Sequence, residues 1–314
     1  MTKTDSRRTF IKTSLAATTS LLLTKLDVLA EDLKPAFIPD KNFDLKILAT
    51  NWGYNGTMDS FCAKVKQEGY DGIEVWWPGG AVQQQEELFA ALKKHSLDVG
   101  FLCAGNQSNA KENLESFKSA MDAAAFNKIQ KPLYINCHSG RDFFTYQENK
   151  AFIDYTTSLS KQSGLRICHE THRGRMLYSA PVSKEFLNKN PELRLTADLS
   201  HWCNVSESLL EGQDETVNLA LSRTDHIHAR IGYAQGPQVN DPRAPEWEQA
   251  VKRHLAWWDK VVEMKKKNGK GITFLTEFGP VDYMPALPYT RQPVADQWAI
   301  NVHMLKLLRN RYSS

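Results

Sequence analysis

Four side chains able to bind a metal ion or carry a proton stand at positions 170, 198, 228 and 277: Glu170 in RICHETHRGR, Asp198 in TADLSHW, His228 in HIHARIGY and Glu277 in LTEFGP. If RICHETHRGR begins as a strand, Arg166, Cys168 and Glu170 share one face, because successive side chains alternate. Glu170 then ends an inward row. A buried ionised group is costly unless it is paired, hydrogen-bonded or metal-bound, so an inward glutamate needs a partner. Two further carboxylates and an imidazole supply one. Their O/O/N/O donor set suits a single divalent cation, Mn²⁺, Co²⁺, Mg²⁺ or Zn²⁺, better than a soft metal. A Lewis acid beside carboxylates serves one kind of chemistry well, the removal of a proton next to a carbonyl, because the enediolate charge is then not left bare.

Such convergence requires elements that deliver one residue each to a common point. From Leu45 onward, short β-rich runs alternate with amphipathic stretches. The expected strands are 45–50, 72–77, 98–103, 132–138, 165–171, 193–199, 225–231 and 271–277. Helical patterns fill 57–69, 81–96, 110–126, 147–163, 205–222, 246–268 and 293–312, with a poorer one at 181–189. Regular βα alternation implies a parallel sheet with right-handed crossovers. Eight units in this length predict a single (β/α)₈ TIM barrel. An open doubly wound sheet is the alternative, but LATNWGYNG after the first strand is not the glycine-rich phosphate turn. In a barrel the chemistry collects where strands end. Those ends carry Trp76 and Trp77, His138, Glu170, Asp198, His228 and Glu277, and neighbouring strands lie ~4.8 Å apart.

The four strand-end residues, GYDGIEVWWP, DLSHW and the second histidine of HIH together resemble the xylose-isomerase-like sugar isomerase/epimerase superfamily, over roughly residues 45–312. The resemblance implies a barrel with one catalytic metal held by Glu170, Asp198, His228 and Glu277. It also implies that Glu170 and Glu277 are the acid/base pair and that His201 binds a substrate oxygen. Arg230 matches the basic residue that follows the metal histidine, although branches of the family place it differently. One glutamate withdraws a proton and the other returns one: to the opposite face for epimerisation, to the adjacent carbon for aldose–ketose isomerisation. Their proton affinities must be tuned apart.

Around this centre, Trp76, Trp77 and Trp202 are either stacking platforms for a sugar or ordinary core tryptophans. Arg141, Arg173 and Arg175 either bind an anionic group on the substrate or neutralise the acidic cluster. His138 is expected at the substrate, and His169, His172 and His226 are expected either to orient ligands or to bind something themselves. The long loops 233–247 and 279–293 follow strands seven and eight, and loops of that length tend to carry function. They bring Gln238, Tyr283, Tyr289 and Arg291 as pocket-shaping candidates.

Residues 1–30 read as an export signal. Ser6-Arg7-Arg8-Thr9-Phe10-Ile11-Lys12, a weakly apolar run to Leu23 and the ending Val28-Leu29-Ala30 look like a twin-arginine signal handed to that export machinery, with a periplasmic or otherwise exported destination. The apolar run is far short of the ~20 residues a membrane span needs. The full chain has 39 basic and 36 acidic residues; this segment holds Lys3, Arg7, Arg8, Lys12 and Lys25 against Asp5 and Asp27, leaving 34 of each beyond it. A neutral remainder lacks the basic footprint of nucleic-acid binding. Five scattered cysteines without a CxxC pair are expected to be free core thiols.

Three further readings compete with the isomerase or epimerase. The same base could drive elimination or hydration on a 3-keto-glycoside. The apurinic-site endonucleases of the superfamily need a histidine after strand three, where this chain has FLCAGNQ, and an Asp-x-His that 229–245 does not contain. A noncatalytic sugar-binding barrel would need no intact quartet. Oligomeric state is not specified by these residues.

Overall fold

The computed structural model describes residues 43–313; the expected export signal lies outside them. Strands and helices alternate as β1 (Leu45–Thr50), α1 (Met58–Glu68), β2 (Gly72–Trp76), α2 (Val82–His95), β3 (Asp98–Ala104), α3 (Ala110–Ala125), β4 (Ile135–His138) and α4 (Tyr146–Ser163). They continue as β5 (Ile167–Glu170), α5 (Ala180–Lys189), β6 (Leu195–Ala197), α6 (Leu199–Val205), α7 (Asp214–Ser222), β7 (Thr224–His228), α8 (Glu248–Lys267), β8 (Ile272–Thr276) and α9 (Gln297–Tyr312). The strands pair in sequence order and β1 pairs in parallel with β8, so the sheet closes into an eight-stranded barrel. Among the described residues, those up to Lys306 form one compact unit, and the end of α9 from Leu307 falls in a second. Among the described residues, no helix is long and apolar enough to cross a membrane.

Each expected strand is present. One helical expectation is corrected: of 205–222 only Asp214–Ser222, α7, is a separate helix, while Val205 ends the short α6, which begins directly after Asp198. The Asp198 side chain accepts the Ser200 amide at 3.1 Å, which satisfies one of the amides a helix start leaves unpaired. The segment between the two helices contains Glu207, Leu210 and Gly212 in the left-handed region, where helix cannot continue. α4 opens with a reciprocal capping box between Thr145 and Glu148.

Strand register decides what faces inward. Glu74 lies beside Gly100, Leu102 beside Asn136, Asn136 beside Cys168, Thr196 beside both Glu170 and His226, and His228 beside Leu275. Leu48 meets Tyr134 and Leu275 in one fully buried cluster, and since β1 and β4 are not neighbours, that contact crosses the interior. A Cβ at Gly100 would come within 2.5 Å of the Tyr134 ring, so the glycine makes room for this filling aromatic. Polar residues share the interior: Glu74, Asn136, His226 and His228 are all buried. All five cysteines are free and buried.

Candidate metal centre and active site

Strands β5 to β8 deliver the quartet. Glu170 is the last residue of β5, Asp198 and Glu277 directly follow β6 and β8, and His228 ends β7. One ligand atom from each lies within 4.8 Å of all the others. His228 Nδ1 stands 2.8 Å from Glu277 Oε2 and 3.5 Å from Glu170 Oε1. These separations are what ligands bonded at ~2.1 Å to one ion require. The three atoms are buried with no hydrogen-bond partner of good geometry, and buried polar atoms normally have one. They therefore fit a metal ion. Asp198 is engaged differently: Oδ1 accepts from Ser200 and Oδ2 from Arg230 Nη2, but a carboxylate oxygen has two acceptor sites and Oδ2 still faces the others.

The surroundings fix each group. Thr171 Oγ1 donates to the Asp198 carbonyl and accepts its amide, both at 2.8 Å, so the residue after one candidate ligand locks the backbone of the next. Glu170 Oε2 is held by Asn136 Nδ2 and by His138 Nε2, each at 2.8 Å. Burial works to raise the Glu170 pKa, but His138 and His228 outweigh it and hold the group well below the usual carboxylate range. Burial works to lower His228, and Glu277, Glu170 and Glu74 reverse it. Asp198 is pushed up to about 6, by burial first and by Glu277 and Glu170, against the pull of Arg230. It remains ionised at neutral pH and able to accept the guanidinium.

A cavity of about 390 Å³ opens over this centre, lined by Glu277, Arg230, His138, Trp76 and Tyr283 among the expected residues, and by Thr50, Asn51, Trp52, Glu74, Val75, Leu102 and His172. Tyr283 lies over the Arg230 guanidinium at 4.8 Å.

The other candidate residues take different places. Trp77 faces away from the cavity and packs on Phe101 and Phe89. Trp202 is fully buried and donates to the Leu177 carbonyl. His201 is also fully buried: its Nε2 accepts from Arg230 at 2.8 Å and the His172 ring covers it at 3.9 Å. It supports Arg230 and does not line the cavity. Arg175 and Arg141 hold the loop after β3, through Gly105 and Asn106, and neither touches the quartet. Arg173 bonds Asn204 and stacks on Tyr283. His169 bonds Ser139 and Thr156 and does not touch the quartet. Gln238 pins the Gly279 backbone at 2.7 and 3.2 Å, while Tyr289 is fully exposed and Arg291 pairs with Asp282 at the surface.

Residues not foreseen from the sequence complete the centre. Glu74, on β2, lies 3.3 Å from both His228 Nε2 and His226 Nε2. His226 in turn bonds Thr273 and stacks on Tyr134 at 4.0 Å. Period-two alternation in GYDGIEVWWP puts Glu74 on the inward face with Gly72 and Trp76, which is the signal that could have found it.

No family model matches the chain, and no curated protein matches it in sequence. The fold does find counterparts. The 3-keto-D-glucoside 4-epimerase of E. coli superposes with a TM-score of 0.55 at 15% identity, over 85% of this chain and 100% of that one. A D-allulose 3-epimerase from Methylomonas sp. gives 0.55 at 16% identity over 86% and 99%. The probable 3-DHS dehydratase AsbF of Bacillus anthracis gives 0.55 at 16% identity over 85% and 100%. The chain has the fold of xylose-isomerase-like (β/α)₈ barrels.

Proposed function

We propose that the protein is a divalent-metal-dependent sugar isomerase or epimerase that works by proton abstraction next to a carbonyl, with Glu170 and Glu277 as the acid/base pair. The observation that carries this reading is the quartet Glu170, Asp198, His228 and Glu277, gathered within 4.8 Å beneath a cavity that Glu277 borders. That epimerases of ketosugars are built on this fold supports it. A cation held by Glu170, Asp198, His228 and Glu277 would supply Lewis acidity to a substrate carbonyl oxygen.

The chain's own residues do the rest. Glu277 faces the cavity and takes the proton from the carbon beside the carbonyl; the C–H electron pair becomes the enediolate double bond. Arg230 Nη1, 3.4 Å from Glu277 Oε2, holds that carboxylate in place. Glu170 does not itself line the cavity, but His138 does, and it touches Glu170 Oε2 at 2.8 Å. The returned proton is shared between Glu170 and His138 across their 2.8 Å contact and reaches the substrate from His138; Glu277 then gives the abstracted proton to solvent. Return of the proton by a group other than the base is what epimerisation requires.

A proton NMR time course in D₂O, with Mn²⁺-loaded protein and a panel of ketoses, aldoses and 3-keto-glycosides, tests the reading. Deuterium is expected beside the carbonyl with the carbon skeleton retained. Glu170→Gln and Glu277→Gln are each expected to abolish exchange while circular dichroism stays unchanged; near-normal exchange in either would sink the acid/base assignment. The same fold in a probable dehydratase favours one second reading, elimination or hydration on a 3-keto-glycoside with the same base, for which an aglycone would be released. Export by the twin-arginine route belongs to the proposal through residues 6–30, and is checked by whether Arg7→Lys/Arg8→Lys retains the protein in the cytoplasm.

A further inference from the structure

The cavity has a rim as well as a polar floor. Of the large apolar side chains that are exposed, Trp52 and Trp76, 37% and 50% accessible, line it. Neither is loose. The Trp52 carbonyl accepts from Gln297 Nε2 at 2.7 Å, its ring meets Tyr283 edge-on at 4.8 Å, and Gly279 leaves the room the indole fills, since a Cβ there would collide with it. The Trp76 ring stands edge-on to His138 at 5.3 Å. Through these neighbours each tryptophan belongs to one carboxylate. Trp76 leads by His138 to Glu170, and Trp52 leads by Tyr283 and Arg230 to Glu277.

Two exposed indoles thus border the cavity over the carboxylates, one beside His138 and one beside Tyr283. One sugar ring on the polar floor meets His138, Arg230 and Glu277, and the indole rim is left for a second group. Clefts of ~300–1,000 Å³ bury ligands larger than a single sugar ring, and this one has about 390 Å³. We infer that the substrate is a two-ring glycoside: one ring is enolised at the centre and a second ring stacks on the tryptophan rim. The second ring is either another sugar or an aryl group, since both offer an apolar or π face to an indole. This inference rests on the enolisation reading only for the central ring.

Binding of unreactive probes separates the two. Calorimetric titration of the Mn²⁺-loaded full chain would compare methyl, phenyl and β-glucosyl glycosides across the gluco, galacto and manno series. The expected result is at least ~10-fold tighter binding of a two-ring probe than of its methyl counterpart, lost on Trp52→Ala or Trp76→Ala and partly restored by phenylalanine. Preference for phenyl assigns an aryl aglycone; preference for glycosyl assigns a second sugar. Equal binding of methyl and two-ring probes, or a preference that survives both alanine substitutions, overturns the inference. Since no turnover is read, a protein that stacks two rings yet exchanges no deuterium would refute the enolisation and keep the rim.

Discussion

Glu74 is a carboxylate in the middle of a barrel strand, the position least expected to carry charge. An imidazole offers two nitrogens, and the partner of one decides which is free. With Glu74 Oε1 3.3 Å from Nε2 of His228, the carboxylate holds the ring proton at Nε2. When a cation takes the place of the second ring proton, Nδ1 is the nitrogen left to meet it, facing Glu170 and Glu277. Burial works to raise the Glu74 pKa, and His228 and His226 more than reverse it, so the acceptor stays ionised. Carboxylates that orient metal-bound histidines are worth about 10–100-fold in metal affinity. Glu74→Gln is expected to weaken Mn²⁺ binding by that factor, read from the electron paramagnetic resonance of free Mn²⁺, with an unchanged far-ultraviolet spectrum. Unaltered affinity would remove the role. The quartet was legible because each member ends its own strand. The partners of Glu74 come from β7, and a sequence gives no sign that the two strands place them face to face across the barrel.

At the scale of elements, the eight strands and most helices were legible because each repeats a simple apolar period bounded by turn residues. The exception, α6, is short and takes its cap from Asp198, so a residue of the buried quartet also starts the helix. Loop anchoring was not legible either. His254 on α8 donates from Nδ1 to the Ala250 carbonyl at 2.9 Å and accepts the Gly232 amide at Nε2 at 3.3 Å. It thereby ties this helix to the loop after β7. Burial lowers its pKa to about 4, against about 6.5 in an unfolded chain. The unfolded state then binds the proton first, so stability is complete above pH 6.5 and declines as the pH falls toward 4. The expected loss from this residue is about 2 kcal/mol at pH 5. Urea unfolding at pH 7.5 and pH 5 measures it, and His254→Gln is expected to flatten that part of the pH dependence. An equal slope in the variant would assign the acid sensitivity elsewhere.

For the molecule as a whole, barrels separate chemistry at one end of the strands from stability at the other. The N-terminal end of this barrel has its own charged cluster. Asp225, near the start of β7, receives Arg194 Nε and Nη2 at 2.7 and 2.9 Å and the ammonium of Lys265, while Arg166 donates to its carbonyl at 3.1 Å. Burial works to raise the Asp225 pKa, but Arg194 and Lys265 prevail and bring it to about 2. Its contribution is therefore present above the unfolded value of about 3.9 and is lost as the pH falls toward 2. Asp225→Ala strands the mostly buried Lys265 and half of the Arg194 network, at a cost of about 2 kcal/mol given that Arg194 keeps some solvent. The charged centre at the C-terminal end does not touch this cluster. The variant is therefore expected to unfold at lower urea yet bind Mn²⁺ like the parent at 25 °C. If metal affinity fell together with stability, the two ends would be coupled through β7, whose other end carries His228.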